Sequence, residues 1–200
     1  MANYRTSRIL PTILTIVVIV VVIAGIVALA RFLFTGSADP SQSALDTSQQ
    51  DLLNTSDGRS VSMTVRGPIV ADEDFRSYRI TVSPTSRQFE AFSGYLDAIT
   101  DQQTLSNNTA AYSQFVHALD KANMAKGTPF EGDKNNVLGI CATGRVYEFN
   151  ILDAGDVDEM LWTSTCGGSP GSLDASATQL SKLFINQIPD GSNITNSLKL

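Results

Sequence analysis

Gly167-Gly168-Ser169-Pro170-Gly171 has the G-x-S-x-G spacing of a nucleophile elbow, in which a serine on a tight strand-to-helix turn attacks a carbonyl. That chemistry also needs the residue after the serine to donate its backbone N–H to the oxyanion. Here that residue is Pro170, which has none. The chain's one histidine, His117, precedes the serine, against the Ser, Asp, His order of that fold. A serine hydrolase using Ser169 is therefore the least favoured reading, and a flexible Gly-rich loop accounts better for the motif.

With a single histidine, and with Cys141 and Cys166 expected to be oxidised together, no zinc or copper site can be assembled from the usual ligands. Acids gather at Asp72, Glu73 and Asp74, and again at Asp153, Asp156, Asp158 and Glu159. Neither group fits a twelve-residue calcium loop, and charged turn tips are ordinary solvated features. No cofactor, metal or catalytic residue is expected, and the one covalent feature is the disulfide Cys141–Cys166.

Any such chemistry would be placed by an N-terminal segment. Residues 9–30 hold twenty-two positions without an ionisable side chain, and Phe32, Leu33 and Phe34 extend the apolar run. As a helix the twenty-two span about 33 Å, enough to cross a bilayer core. Arg5 and Arg8 precede it, and Asp39 and Asp46 follow it, so the positive-inside rule puts the N-terminus in the cytoplasm. Ala28-Leu29-Ala30 resembles a signal-peptidase site, but the run is longer than a signal peptide's apolar region. The expectation is a cytoplasmic stub at 1–8, a transmembrane helix at 9–34, a polar linker at 35–59, an extracytoplasmic domain at 60–190 and a flexible tail at 191–200. The protein would sit in the cell membrane as a single-pass protein.

The formal net charge of −6 hides an asymmetry. Three arginines lie before residue 35 with no acid, so the remainder carries 11 basic against 20 acidic residues, or −9. An acidic exterior argues against nucleic acid as a partner. The linker is rich in Ser, Thr, Gln and Asp, although Leu45, Gln49, Leu52 and Leu53 fall on one helical face after Asp39-Pro40.

From residue 60 the apolar period is two. Val61, Met63 and Val65, then Tyr78, Ile80 and Val82, read as two antiparallel strands. Phe89, Phe92, Leu96 and Ile99 recur at helical spacing, as do Tyr112, Phe115, Val116 and Leu119. Strands are expected at 137–142, 145–152 and 157–165. A last helix opens at Ser172 or Asp174, turns Ala177, Leu180, Leu183, Phe184 and Ile188 inward, and stops at Pro189-Asp190-Gly191. The fold class that follows is α+β: an antiparallel sheet with helices on one face, in ββα-type units.

A hairpin turning at Asp153-Ala154 would pair residues whose numbers sum to 307, setting Tyr147 opposite Met160, Arg145 opposite Trp162, and Cys141 opposite Cys166. A bridge there would stabilise the fold by about 3 kcal/mol through chain entropy.

On the anchor and spacer of residues 1 to 60, the chain resembles uncharacterised bacterial single-pass proteins that carry one small exported domain. In layout alone the ββα units are similar to small bacterial protease-inhibitor domains, a likeness that transfers no residues. An acidic, disulfide-stapled domain that lacks a catalytic constellation reads first as a membrane-anchored, non-catalytic binding or structural module, its spacer holding the domain off the membrane, with an envelope or extracellular protein as partner. The alternative is an inhibitor or regulator of an extracellular enzyme such as a protease, presenting the loop at 67–74 or at 166–171.

Overall fold

The computed structural model describes residues 40–200, with side chains from residue 47 onward, together with residue 14, 17–19 and 21–22. The chain divides into two compact units, Met1–Ser43 and Ala44–Leu200. In the first, Leu14, Val17, Val18, Ile19, Val21 and Val22 are helical and exposed. The rest of the expected transmembrane helix at 9–34 and the stub at 1–8 lie outside the described residues. Among the described residues no helix is long and apolar enough to cross a membrane.

The second unit is α+β, with one six-stranded antiparallel sheet. After α1 (Pro40–Leu53), the strands β1 (Arg59–Arg66), β2 (Arg76–Val82), β3 (Ser86–Ser93) and β4 (Ala98–Ser106) form a meander. Helix α2 (Thr109–Lys121) and a long loop then return the chain to β5 (Val146–Asp153), which pairs with β1, and β6 (Asp156–Ser164) forms the far edge. The order is β4-β3-β2-β1-β5-β6. Two further helices follow, α3 (Ala177–Ile185) and α4 (Gly191–Ser197).

Alternation decides which face is buried. Val61, Met63 and Val65 stand opposite Val82, Ile80 and Tyr78 on one side and Ile151, Phe149 and Tyr147 on the other, so one face of the sheet is a continuous apolar layer. The helices cover it. Tyr112, Phe115, Val116 and Leu119 of α2 and Leu180 and Phe184 of α3 are buried in the same core, with Phe184 edge-on to Phe115 at 5.2 Å between ring centroids. Asn108 and Ser176 cap the two helices through their side-chain oxygens.

Four expectations are corrected. Phe89, Phe92, Leu96 and Ile99 are not helical: Phe89 and Ala91 point into the core from β3, Leu96 lies in the turn, and Ile99 stands exposed on β4. The stretch 137–142 is not a strand but an irregular loop after a 3₁₀ turn, Gly132–Asn135. Because of these two changes the sheet is a meander plus a returning hairpin rather than repeated ββα units. Residues 191–200 fold as α4 with Ile194, Leu198 and Leu200 packed on the core. Finally, Leu52, placed by sequence in a polar linker, is fully buried in that core.

Candidate functional site

The hairpin β5–β6 pairs with a sum of 310 over most of its length, so Phe149 faces Leu161 and Glu148 faces Trp162. The turn, Ala154-Gly155, lies one residue later than the expected one and accounts for two of the three; a bulge between Ile151 and Leu152 accounts for the third. An odd shift exchanges the faces of one strand relative to the other. Trp162 and Met160 therefore leave the main core and join Val146, Cys141 and Cys166 in a second apolar cluster on the opposite face. The expected pairings Tyr147–Met160 and Arg145–Trp162 are corrected accordingly.

The disulfide itself forms: Cys141 and Cys166 are bonded, with their Cα atoms 5.5 Å apart. They meet not as cross-strand neighbours but because the chain doubles back at Gly144. A Cβ at that position would collide with Thr165 Oγ1 and crowd Cys141 Sγ. Thr165 N donates to Arg145 O and Arg145 N to Thr165 Oγ1, extending the ladder to the point of reversal.

The loop 67–75, between β1 and β2, leaves the same end of the sheet and is braced at every few residues. Gly67 N donates to Arg76 O, and Ile69 N to Ala142 O at 2.9 Å, tying the loop to the disulfide segment. The Tyr95 hydroxyl donates to Val70 O at 2.7 Å and accepts from Val70 N at 3.0 Å. The Asp72 carboxylate accepts from Tyr95 N at 2.8 Å, and Gly94, at φ +73°, leaves room for it. Phe75 stacks on Tyr95 with ring centroids 4.2 Å apart. Arg76 turns inward, donating to Glu73 O, Phe75 O and Ser93 Oγ.

Between this loop, the turn holding Tyr95 and the segment 137–141 lies a cleft of about 290 Å³. Ile69, Phe75, Tyr95, Leu138, Ile140 and Val146 give it an apolar lining, and Arg66 is the charged group within it. Arg66 Nε donates to Glu148 at 2.7 Å and Nη1 lies 3.9 Å from Asp97, so two carboxylates face one guanidinium. Leu138 is 74% exposed and Ile69 47%, unusual for side chains of this size converging on one opening. The rim is acidic: Asp72 and Asp97 contact lining residues, and Glu73 and Asp74 follow in the same loop.

No family model matches the chain, and no curated protein matches it. The site is therefore read from its own residues.

Ser169 and His117 are not brought together as a catalytic pair. His117 is exposed on α2. Ser169 N donates to Cys166 O and Ser169 O accepts from Ser164 Oγ, while Thr163 Oγ1 donates to Pro170 O, so the loop 166–171 folds back on β6. Gly171, at φ +85°, presses so close to Trp162 O that no side chain fits. The second acidic group has a structural use. Arg59 donates to Asp51 at 3.2 Å and Asp158 at 3.0 Å and lies 3.8 Å from Asp153. Burial works against that guanidinium's charge, but the hydrogen bond to Asp158 and the three carboxylates outweigh it and raise its pKa. Among the described residues no three His, Cys, Asp or Glu side chains converge on a metal position.

The sequence carried only part of this cleft. Gly94 and Asp97, both at positive φ, mark the turn that presents Tyr95, and the alternation of Phe89 and Ala91 marks the strand before it. A helical spacing of apolar residues across the turn obscured both.

Proposed function

We propose that this protein is a membrane-anchored, non-catalytic binding module that receives an apolar side chain of a partner protein in the cleft between Ile69, Tyr95 and Leu138. The observation that supports this reading is an open apolar cleft walled by loops that are already held in place by hydrogen bonds and a disulfide, so little ordering entropy opposes binding. The acidic rim and the over-neutralised Arg66 favour a partner segment in which Leu, Ile or an aromatic residue lies beside Lys or Arg. The anchor is residues 9–34, with the folded unit outside the cytoplasm. Labelling intact cells with an impermeant reagent checks this: a C-terminal tag reached only after lysis rejects the topology.

A second reading, regulation of an extracellular protease, draws on the bracing of the loop 67–75, since a rigid exposed loop resists cleavage while it occupies an enzyme. It requires a protease to lose activity when the protein is added. The main reading is tested by panning random peptides against the full chain in lipid nanodiscs. Enriched peptides carrying an apolar residue next to a basic one, with binding lost in Leu138→Asp, support it. Absence of enrichment, or enrichment indifferent to Leu138→Asp, rejects it.

A further inference from the structure

Two tyrosines on the helix-covered face of the sheet bracket a smaller residue. Val65 stands opposite Tyr78 on β2 and Tyr147 on β5, so the phenols flank it in one row. Ser181 of α3 and Thr195 of α4 close the space beside them into a cavity of about 150 Å³, which at about 30 Å³ of liquid volume per water-sized group holds roughly five. Val65 is buried and Ile185 half-buried, whereas Arg145 and Lys199 are exposed, so the floor of this cavity is apolar and its rim is basic. It shares no residue with the cleft at Ile69 and Leu138. The polar groups converge on one point. Burial pushes the Tyr78 hydroxyl up to about 12; a hydrogen bond from Ser181 and the Arg145 charge oppose that shift, and Tyr147 adds to it. At neutral pH that hydroxyl keeps its proton and can donate. The two cations have no acid to answer them. Among the described residues no Asp or Glu side chain lies within ion-pair distance of Arg145 or Lys199, although the chain after residue 35 carries 20 acidic residues. Arg145 donates from Nε and Nη2 to Leu200 O at 3.2 and 2.7 Å, which fixes the guanidinium and leaves its Nη1 hydrogens without an acceptor.

We propose that this cavity binds a short-chain monocarboxylate, with its alkyl stem on Val65 and Ile185 and its carboxylate between Arg145, Lys199 and the tyrosine hydroxyls. Charge and size select the class. Two unanswered cations and hydroxyl donors at the rim favour an anion, because charge-assisted hydrogen bonds are the strong ones. The apolar floor favours an anion that carries hydrocarbon, since an ion polar on every side would leave Val65 and Ile185 against its oxygens. The volume limits the stem to about three carbons.

The test is saturation-transfer NMR on the full chain in phosphatidylcholine nanodiscs, with empty nanodiscs subtracted and butyrate as the probe. A dissociation constant on the order of 1 mM is expected, since so small a ligand supplies little contact. Butyramide, with the same stem and no charge, should bind about tenfold more weakly, and so should inorganic phosphate, which has charge and no stem. Lys199 is exposed and bonds nothing among the described residues, so Lys199→Gln should weaken butyrate about fivefold while the melting temperature stays unchanged. Tyr147→Phe, which removes one hydroxyl and keeps the ring, should weaken it by a similar factor. Absence of butyrate binding, butyramide or phosphate binding as tightly as butyrate, or full affinity in Lys199→Gln overturns the proposal.

Discussion

Two buried phenols and a half-buried cystine show what single residues hold in this fold. Burial pushes the Tyr112 and Tyr78 hydroxyls up to about 12, with a hydrogen bond from Ser181 opposing the shift at Tyr78. An unfolded tyrosine titrates near 10, so both groups contribute stability that is present below about pH 10 and lost as pH rises through 12. Melting temperature should fall steeply across that interval, and Tyr112→Phe should remove part of the drop; an unaltered alkaline profile in that variant would reject the assignment. The cystine closes a loop with a sequence separation of 25. Replacing both Cys141 and Cys166 with Ser should cost about 3 kcal/mol by denaturant unfolding, and should also loosen the cleft wall that Cys141 forms. The pairing of the cysteines is legible in the sequence, since two lone cysteines flank a plausible hairpin. The face they occupy is not legible, because a bulge between Ile151 and Leu152 leaves no residue-type signature there.

At the scale of elements, a stripe reads correctly when it is the only one available. Tyr112, Phe115, Val116 and Leu119 form a helix because no alternation competes, and Asn108 caps it. Phe89, Phe92, Leu96 and Ile99 mislead because two strands and their turn happen to place apolar residues three, seven and ten apart; Phe92 faces the other side of the sheet, under the Arg79 guanidinium at 5.5 Å. The junction of β6 with α1 adds an electrostatic prediction. Glu159 is held above the ordinary carboxylate range first by burial and then by Asp51 and Asp158, against a hydrogen bond from Ser48. A raised folded value means that its contribution is favourable only at low pH and is lost as pH rises through that value. Glu159→Gln should therefore stabilise the protein at neutral pH, by up to about 1 kcal/mol. The gain should vanish at pH values low enough to protonate Glu159; a gain that persists there would mean that packing, not charge, is responsible.

At the scale of the whole molecule, the question is where the folded unit begins. Composition places the boundary at residue 60, where the polar stretch ends and strand alternation begins. Contacts place it earlier, at Ala44. Leu52 is fully buried against the helical face of the core, Gln49 donates to Asp120 of α2 at 2.7 Å, and Arg59 ties Asp51 to Asp153 and Asp158. Polar composition hides this because Leu52, with Leu53 packed on the core beside it, and one arginine cluster are enough to recruit a helix that from residue 47 is otherwise Ser, Thr, Gln and Asp. Leu52→Ala should cost about 2 to 5 kcal/mol, as deletion of a buried leucine does, a large part of a domain's net stability. A chain beginning at residue 60 loses that side chain, the ion cluster and the strand residue Arg59 together. It should be unfolded or melt far below a chain beginning at residue 44, which should unfold in one cooperative transition. Circular dichroism melts of the two under oxidising conditions decide the matter: equal melting temperatures would return α1 to the role of a spacer.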